Sequence, residues 1–137
     1  MPGNTSTAPT NNSLSGTASA DDIYGLGGAD ILYGYADNDT LDGGAGIDTI
    51  LGDNGVVTLN AANAIAGLQA GSVYVQVSSN VLLTDDSGNW DATGGADVIT
   101  ALTGNKTIVG GYGADQITVG SGDHILVGDN AKVDYDT

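Results

Sequence analysis

Asp21, Asp30, Asp39, Asp48, Asp97 and Asp115 recur in phase with a nine-residue period, and each is followed two residues later by Ile or Leu. All 17 acidic residues of the chain are aspartate, and the two basic residues are lysines, for a net charge of −15. A generic solvated acidic surface mixes Asp with Glu. Aspartate alone, beside 23 glycines, points to tight turns whose short carboxylates reach a cation held at the turn itself. Hard oxygen donors of this kind suit Ca2+, which takes about six to eight oxygens in flexible geometry; Mg2+ demands a tighter octahedron and keeps its water. Paired carboxylates can also act as general acid and base. Periodic repetition argues against that use, because a catalytic pair is unique in its chain. There is no Cys or Arg, and His124 is the single histidine. The chain is therefore not expected to be an enzyme.

The elements that must position these residues follow from a repeat. From Gly16 the chain divides into GTASADDIY, GLGGADILY, GYADNDTLD and GGAGIDTIL, and then reads GDNG. From Ala92 it divides into ATGGADVIT, ALTGNKTIV, GGYGADQIT and VGSGDHILV, and then reads GDNA. The eighth position is Ile23, Leu32, Leu41, Ile50, Ile99, Ile108, Ile117 and Leu126, without exception Ile or Leu. The fourth is Gly except at Ser19 and Asp37. A strict period of nine is incompatible with helical periodicity. The first six residues of each unit are turn chemistry and the last three are strand-like, with the middle one pointing inward. The fold class is thus all-β, a parallel β-roll (solenoid) in two short blocks, residues 16–55 and 92–131, with an inserted β-hairpin or loop segment over 56–91. Residues 1–15 read as a disordered tail and 132–137 as a C-terminal tail.

Two nonapeptides make one coil, so residues 18 apart lie one above the other. Asp21 stacks on Asp39, Asp30 on Asp48 and Asp97 on Asp115. Two anions so placed repel unless a cation lies between them. In the second block the other side pairs Lys106 with His124. Lysine carries only donors and cannot ligate Ca2+. Two readings stay open there: the Lys106 ammonium replaces the ion by reaching Asp123, or the turn has drifted and Lys106 is solvated. His124 is a turn substitution before it is a metal ligand or a base.

GGAGIDTIL at 43–51 and GGYGADQIT at 110–118 match the pattern GGxGxDxUx, with U a large aliphatic residue, at every defined position. GLGGADILY misses only the second Gly, while ALTGNKTIV and VGSGDHILV depart at the Asp itself. In these units the chain resembles the repeats-in-toxin, or hemolysin-type calcium-binding, family. The resemblance implies Ca2+ between successive turns. The family's side-chain ligands would fall on Asp21, Asp30, Asp39, Asp48, Asp97 and Asp115, and turn carbonyls would come from around Gly25, Gly28, Gly43, Gly46 and Gly113. It also implies type I secretion from a Gram-negative bacterium, without a cleaved N-terminal signal, and folding on extracellular calcium. The function implied is a calcium-binding module of a secreted or cell-surface protein with a structural or adhesive role. The catalytic modules that often accompany such rolls are not among these residues.

In the insert, GVVTLN and SVYVQVS read as strands, and VLLT as the second arm of a hairpin that caps the first roll and separates it from the second. Ile65, Leu68 and Trp90 read as packing residues of this cap. The acidity disfavours nucleic acid and anionic membranes as partners, and no stretch is long enough for a transmembrane helix. Calcium ions are the expected partners. The alternative function is a self-assembling or surface-binding scaffold, ice- or matrix-binding, using outward positions such as Tyr24, Tyr33, Leu51, Val109, Ile125 and Val127. Thr100 and Thr118 are similar to two rungs of an ice-binding ladder, which are too few.

Overall fold

The computed structural model describes residues 11–59, 74–79, 94–129 and 132–134, all of them strand, turn or extended chain. The strands of the first block are β1 (Ser13–Ser15), β2 (Asp22–Tyr24), β3 (Gly27–Gly28), β4 (Ile31–Tyr35), β5 (Thr40–Asp42), β6 (Ala45–Gly46) and β7 (Asp48–Asp53). The insert contributes β8 (Gly55–Leu59) and β9 (Tyr74–Ser79). The second block holds β10 (Val98–Ala101), β11 (Lys106–Gly111), β12 (Gln116–Val119) and β13 (His124–Asp129), and β14 (Lys132–Asp134) follows. Two parallel sheets face each other, in the orders β1-β4-β7-β11-β13 and β12-β10-β5-β2. Strand alternation then turns one side chain of each short strand inward. Ile23, Leu32, Leu41, Ile50, Ile99 and Ile108 form a thin core with no solvent exposure.

The core ends at the last coil. Leu126, expected inside with the other eighth-position residues, is 46% exposed. Its strand β13 is the terminal strand of its sheet, and among the described residues no strand of the facing sheet follows β12 to cover it.

The two blocks form one continuous solenoid rather than two rolls separated by a cap. Leu41 pairs with Ile99 and Ile50 with Ile108. Consecutive coils are 18 residues apart within a block and 58 apart across this junction; the difference, 40 residues, loops out. The register locates the interruption inside a single nonapeptide. Gly52 and Asp53 supply its first two positions, and Gly94 to Thr100 supply the rest. A side chain at Gly52 would overlap the Asp97 carboxylate and the Gly110 carbonyl, just as one at Gly110 would overlap the Asp115 carboxylate and the Gly128 carbonyl. Gly52, not Ala92, is therefore the first residue of the unit that contains Asp97. Asp53 staples the split. Buried to 2% exposure, it accepts the Gly95 N–H at 3.1 Å through Oδ1 and the Tyr112 N–H through Oδ2.

The insert strand β9 pairs antiparallel with β8 and, on its other side, with β14. The expected VLLT arm, Ile65, Leu68 and Trp90 lie outside the described residues. Val57 of β8 packs onto the outer face of the larger sheet, against Leu51 and Val109 in one cluster and Ala29 and Ile31 in another, with Tyr33 in both. Leu51 and Val109, expected to be outward and exposed, are fully buried as a result. This outer cluster also explains why an insert is tolerated here: it covers apolar surface that the roll alone would leave in water.

The roll also begins earlier than the repeat register from Gly16. Ser13–Ser15 forms β1 and pairs with β4, placing Leu14 beside Leu32. Asn12 and Leu14 occupy the sixth and eighth positions of a degenerate nonapeptide that was read as tail.

Candidate metal centre

The Asp30, Asp39, Asp48 and Asp115 turns rest on positive φ at both the second and fourth positions of the nonapeptide, and the Lys106 and His124 turns on the fourth alone. Second positions Leu26, Tyr35, Gly44 and Gly111 have φ of 75°, 84°, 73° and 116°. Fourth positions Gly28, Asp37, Gly46, Gly104, Gly113 and Gly122 have φ of 125°, 72°, 136°, 103°, 138° and 148°. Glycine adopts these values freely, which is the physical content of the GGxG part of the pattern. Coils also approach too closely there for a side chain: one at Gly46 would overlap the Gly28 carbonyl, and one at Gly113 the Gly95 carbonyl.

The sixth-position residues stack as predicted and form two ladders, one on each side of the roll. In the first, the Asp21 N–H donates to Asp39 Oδ1 at 2.8 Å, Asp39 to Asp97 at 2.8 Å and Asp97 to Asp115 at 3.1 Å. In the second, Asn12 donates to Asp30 Oδ1 at 2.8 Å and Asp30 to Asp48 at 3.1 Å. Lys106 then stacks on Asp48, and His124 on Lys106. One carboxylate oxygen of Asp30, Asp39, Asp48, Asp97 and Asp115 thus caps the backbone of the preceding coil. The other oxygen, Oδ2, points at the first glycine of its own turn. A methyl group on Gly25 would lie 2.6 Å from Asp30 Oδ2 and 2.8 Å from the Gly43 carbonyl oxygen, and one on Gly43 would lie 2.8 Å from Asp48 Oδ2.

The second oxygens have different fates. Those of Asp30, Asp39 and Asp97 are buried and have no hydrogen-bond partner. Asp21 Oδ2 accepts from the Thr17 N–H at 2.5 Å and the Thr17 hydroxyl at 2.8 Å. Asp48 Oδ2 meets the Lys106 ammonium at 2.7 Å. Lys106 therefore does act as a cation in the ladder, but its partner is Asp48 of the coil before it, not Asp123. The nearest carboxylate across the junction is 58 residues away in sequence and was hidden by the insert. The Asp123 N–H donates instead to Asn105 Oδ1.

Burial pushes the Asp39 carboxyl up to about 7, reinforced by the neighbouring Asp21, Asp53 and Asp37 charges. Burial raises Asp97 to about 7 as well, with Asp53, Asp39 and Asp115 adding to the shift. Asp48 rises to about 6 through burial, restrained by Lys106. Asp30 is also raised by burial. Carboxylates that resist ionisation when left alone, with an oxygen buried and unmet, mark places where positive charge is wanted. Among the described residues no three Asp or His side chains converge on one point. A cation in these turns would accordingly draw on a carboxylate and backbone carbonyls, and an oxygen-only donor set of that kind fits calcium.

The profile of the RTX calcium-binding nonapeptide repeat (4 copies) matches residues 15–50, 33–56 and 91–123, more than half of the chain. The chain belongs to this family. The members bind calcium through the nonapeptide, so this roll carries calcium-binding repeats on the parallel β-solenoid that its periodicity predicts. No curated protein and no solved structure matches it.

Sequence reasoning missed Asn12, Asp53 and Thr17 as ladder partners. Asn12 had a usable signal, since Leu14 lies one coil before Leu32. Asp53 had none, because its partners are donated by residues that come after the insert.

Proposed function

We propose that this chain is a calcium-binding β-roll module of a secreted or cell-surface bacterial protein, with a structural or adhesive role and no catalysis. The observation that carries the reading is the set of buried, unmet Oδ2 atoms on Asp30, Asp39 and Asp97 in glycine-lined turns. Bound calcium supplies the positive charge that lets these carboxylates ionise inside the protein. Asp30, Asp39, Asp97 and Asp115 are the side chains assigned to hold it. The carbonyls around Gly25, Gly28, Gly43 and Gly113 are assigned as their backbone partners. Each carboxylate then works twice, capping the preceding coil through Oδ1 and facing the cation through Oδ2. Such a site is assembled only when both coils are in place, which couples binding to folding. Asp21 belongs to the same ladder, but Thr17 already meets its second oxygen.

The test is far-UV circular dichroism of the chelated protein during a Ca2+ titration, with Mg2+ as control. A cooperative gain of β signal with Ca2+ alone is expected. A spectrum that Ca2+ leaves unchanged sinks the reading.

A second reading, a self-associating scaffold, is favoured by the open end of the roll, where Ile125 is 41% and Leu126 46% exposed. The threonine pair contributes little, because its column continues from Thr100 and Thr118 into Asp42 and Tyr24. Light scattering with and without calcium separates assembly from a monomer.

A further inference from the structure

Lys106 has a setting unlike that of a surface lysine. Its side chain is fully buried, and Nζ lies 2.7 Å from Asp48 Oδ2, 2.7 Å from the Gly46 carbonyl oxygen, 3.0 Å from that of Thr103 and 3.3 Å from that of Gly44. The shell is one carboxylate and three turn carbonyls drawn from two successive coils. Gly44 and Gly46 are the second and fourth positions of their nonapeptide, the two with positive φ. One coil earlier, the same positions are Leu26 and Gly28, with φ of the same sign, and the aspartate is Asp30, whose second oxygen is unmet. Two equivalent turns therefore differ in one respect: a tethered ammonium reaches one of them and not the other.

We propose that Lys106 is a built-in counter-cation which fills the cation position of the Asp48 turn, so that this rung takes no calcium in the folded roll. The inference rests on the calcium reading of the remaining rungs. A buried ammonium is costly to desolvate and is kept only when oxygens surround it. Here four do, and an ammonium with three hydrogens to share has no room for a divalent ion beside it. The rung also joins β7 to β11, the strands that meet across the 40-residue loop, so on this side the chain itself supplies the cation that links the blocks. The Asp39–Asp97 rung, on the other side of the same junction, has no such cation. The same shell, moved back one coil, assigns the carbonyls of Leu26, Gly28 and Ala45 with Asp30 as the calcium ligands of that turn.

Two measurements test this on the full chain. The first is acylation of Lys106 in the calcium-saturated protein, followed by mass spectrometry. Its rate is expected to be at least about a hundredfold below that in urea, as a buried and bonded amine requires; equal rates overturn the proposal. The second is calcium stoichiometry by equilibrium dialysis of the wild type and Lys106→Asp. Restoring aspartate to the ladder is expected to add one bound ion per chain, and an unchanged stoichiometry overturns the proposal. If Lys106→Asp does not fold, the acylation result alone decides. A wild type that binds no calcium defeats the calcium reading instead, and is distinguished from failure here by the Lys106 acylation rate.

Discussion

The two ladders of this roll share a backbone and differ in what neutralises them. Asp21, Asp39, Asp97 and Asp115 form an unbroken aspartate column, in which the two central members are buried with an oxygen unmet. The opposite column runs Asn12, Asp30, Asp48, Lys106, His124, and at its centre the carboxylate is met by an amine. The Asp39 and Asp115 turns of one column and the Asp30 and Asp48 turns of the other use the same positive-φ positions. On the calcium reading, the comparison teaches that matching turns offer matching cation positions, and that the sixth side chain decides whether the cation is recruited from solution or carried by the chain.

Amide substitutions should break this symmetry most. Asp48→Asn leaves the Lys106 charge buried without its partner, an effect of about 3–5 kcal/mol. Urea denaturation should show that loss in saturating calcium. Asp97→Asn keeps an oxygen to cap the preceding coil and removes only the ionisable oxygen. It should lower the number of bound ions while shifting the metal-free protein toward the folded state at neutral pH. Equal responses of the two variants to calcium would show that the ladders are not different in kind.

The pH dependence of the metal-free protein should be inverted, and sizeable. Asp39 and Asp97 bind protons more tightly folded than unfolded, with carboxyls raised from 3.8 to about 7. Their contribution is fully present below about 3.8 and is lost as pH rises through about 7. In chelator, the β signal should therefore be greater at pH 5 than at pH 8. In saturating calcium the trend should reverse, because protons then compete with the ion. A metal-free β signal that grows with pH would count against burial as the controlling influence on this column.

The smallest effect concerns the Asp30 turn. Leu26 holds φ of 75° while 46% exposed, so its side chain contributes little burial to offset the strain. Leu26→Gly should stabilise the calcium-loaded protein by about 1 kcal/mol, read as a raised melting temperature. Tyr35 is less suited to this test, because its ring stacks on Tyr33.

Much of this was legible from spacing. The inward Ile/Leu column, the 18-residue stacking of Asp21 on Asp39 and Asp30 on Asp48, and the strands of the insert follow from alternation and period, which act locally. What escaped involves contacts that skip the loop. Counting from Ala92 gives the correct register for Asp97, yet the first residue of that unit is Gly52, because a chain can leave a turn and return to it without altering what stacks above. The partner of Lys106 was misassigned to Asp123 for the same reason. Tyr33, Leu51 and Val109 looked outward and free because a one-dimensional pattern shows the roll without the strand that lies on it.

The split nonapeptide also bears on the order in which the roll closes. Every other coil contact spans 18 residues, whereas the junction spans 58. By the logarithmic cost of loop closure, bridging the junction, at β5–β10 or at β7–β11, costs about 1 kcal/mol more than any other coil contact. That step is expected to be the slowest in a chain that otherwise zips up between near neighbours, and the tethered amine of Lys106 sits at one of the two rungs that close it, where no ion from solution has to be awaited.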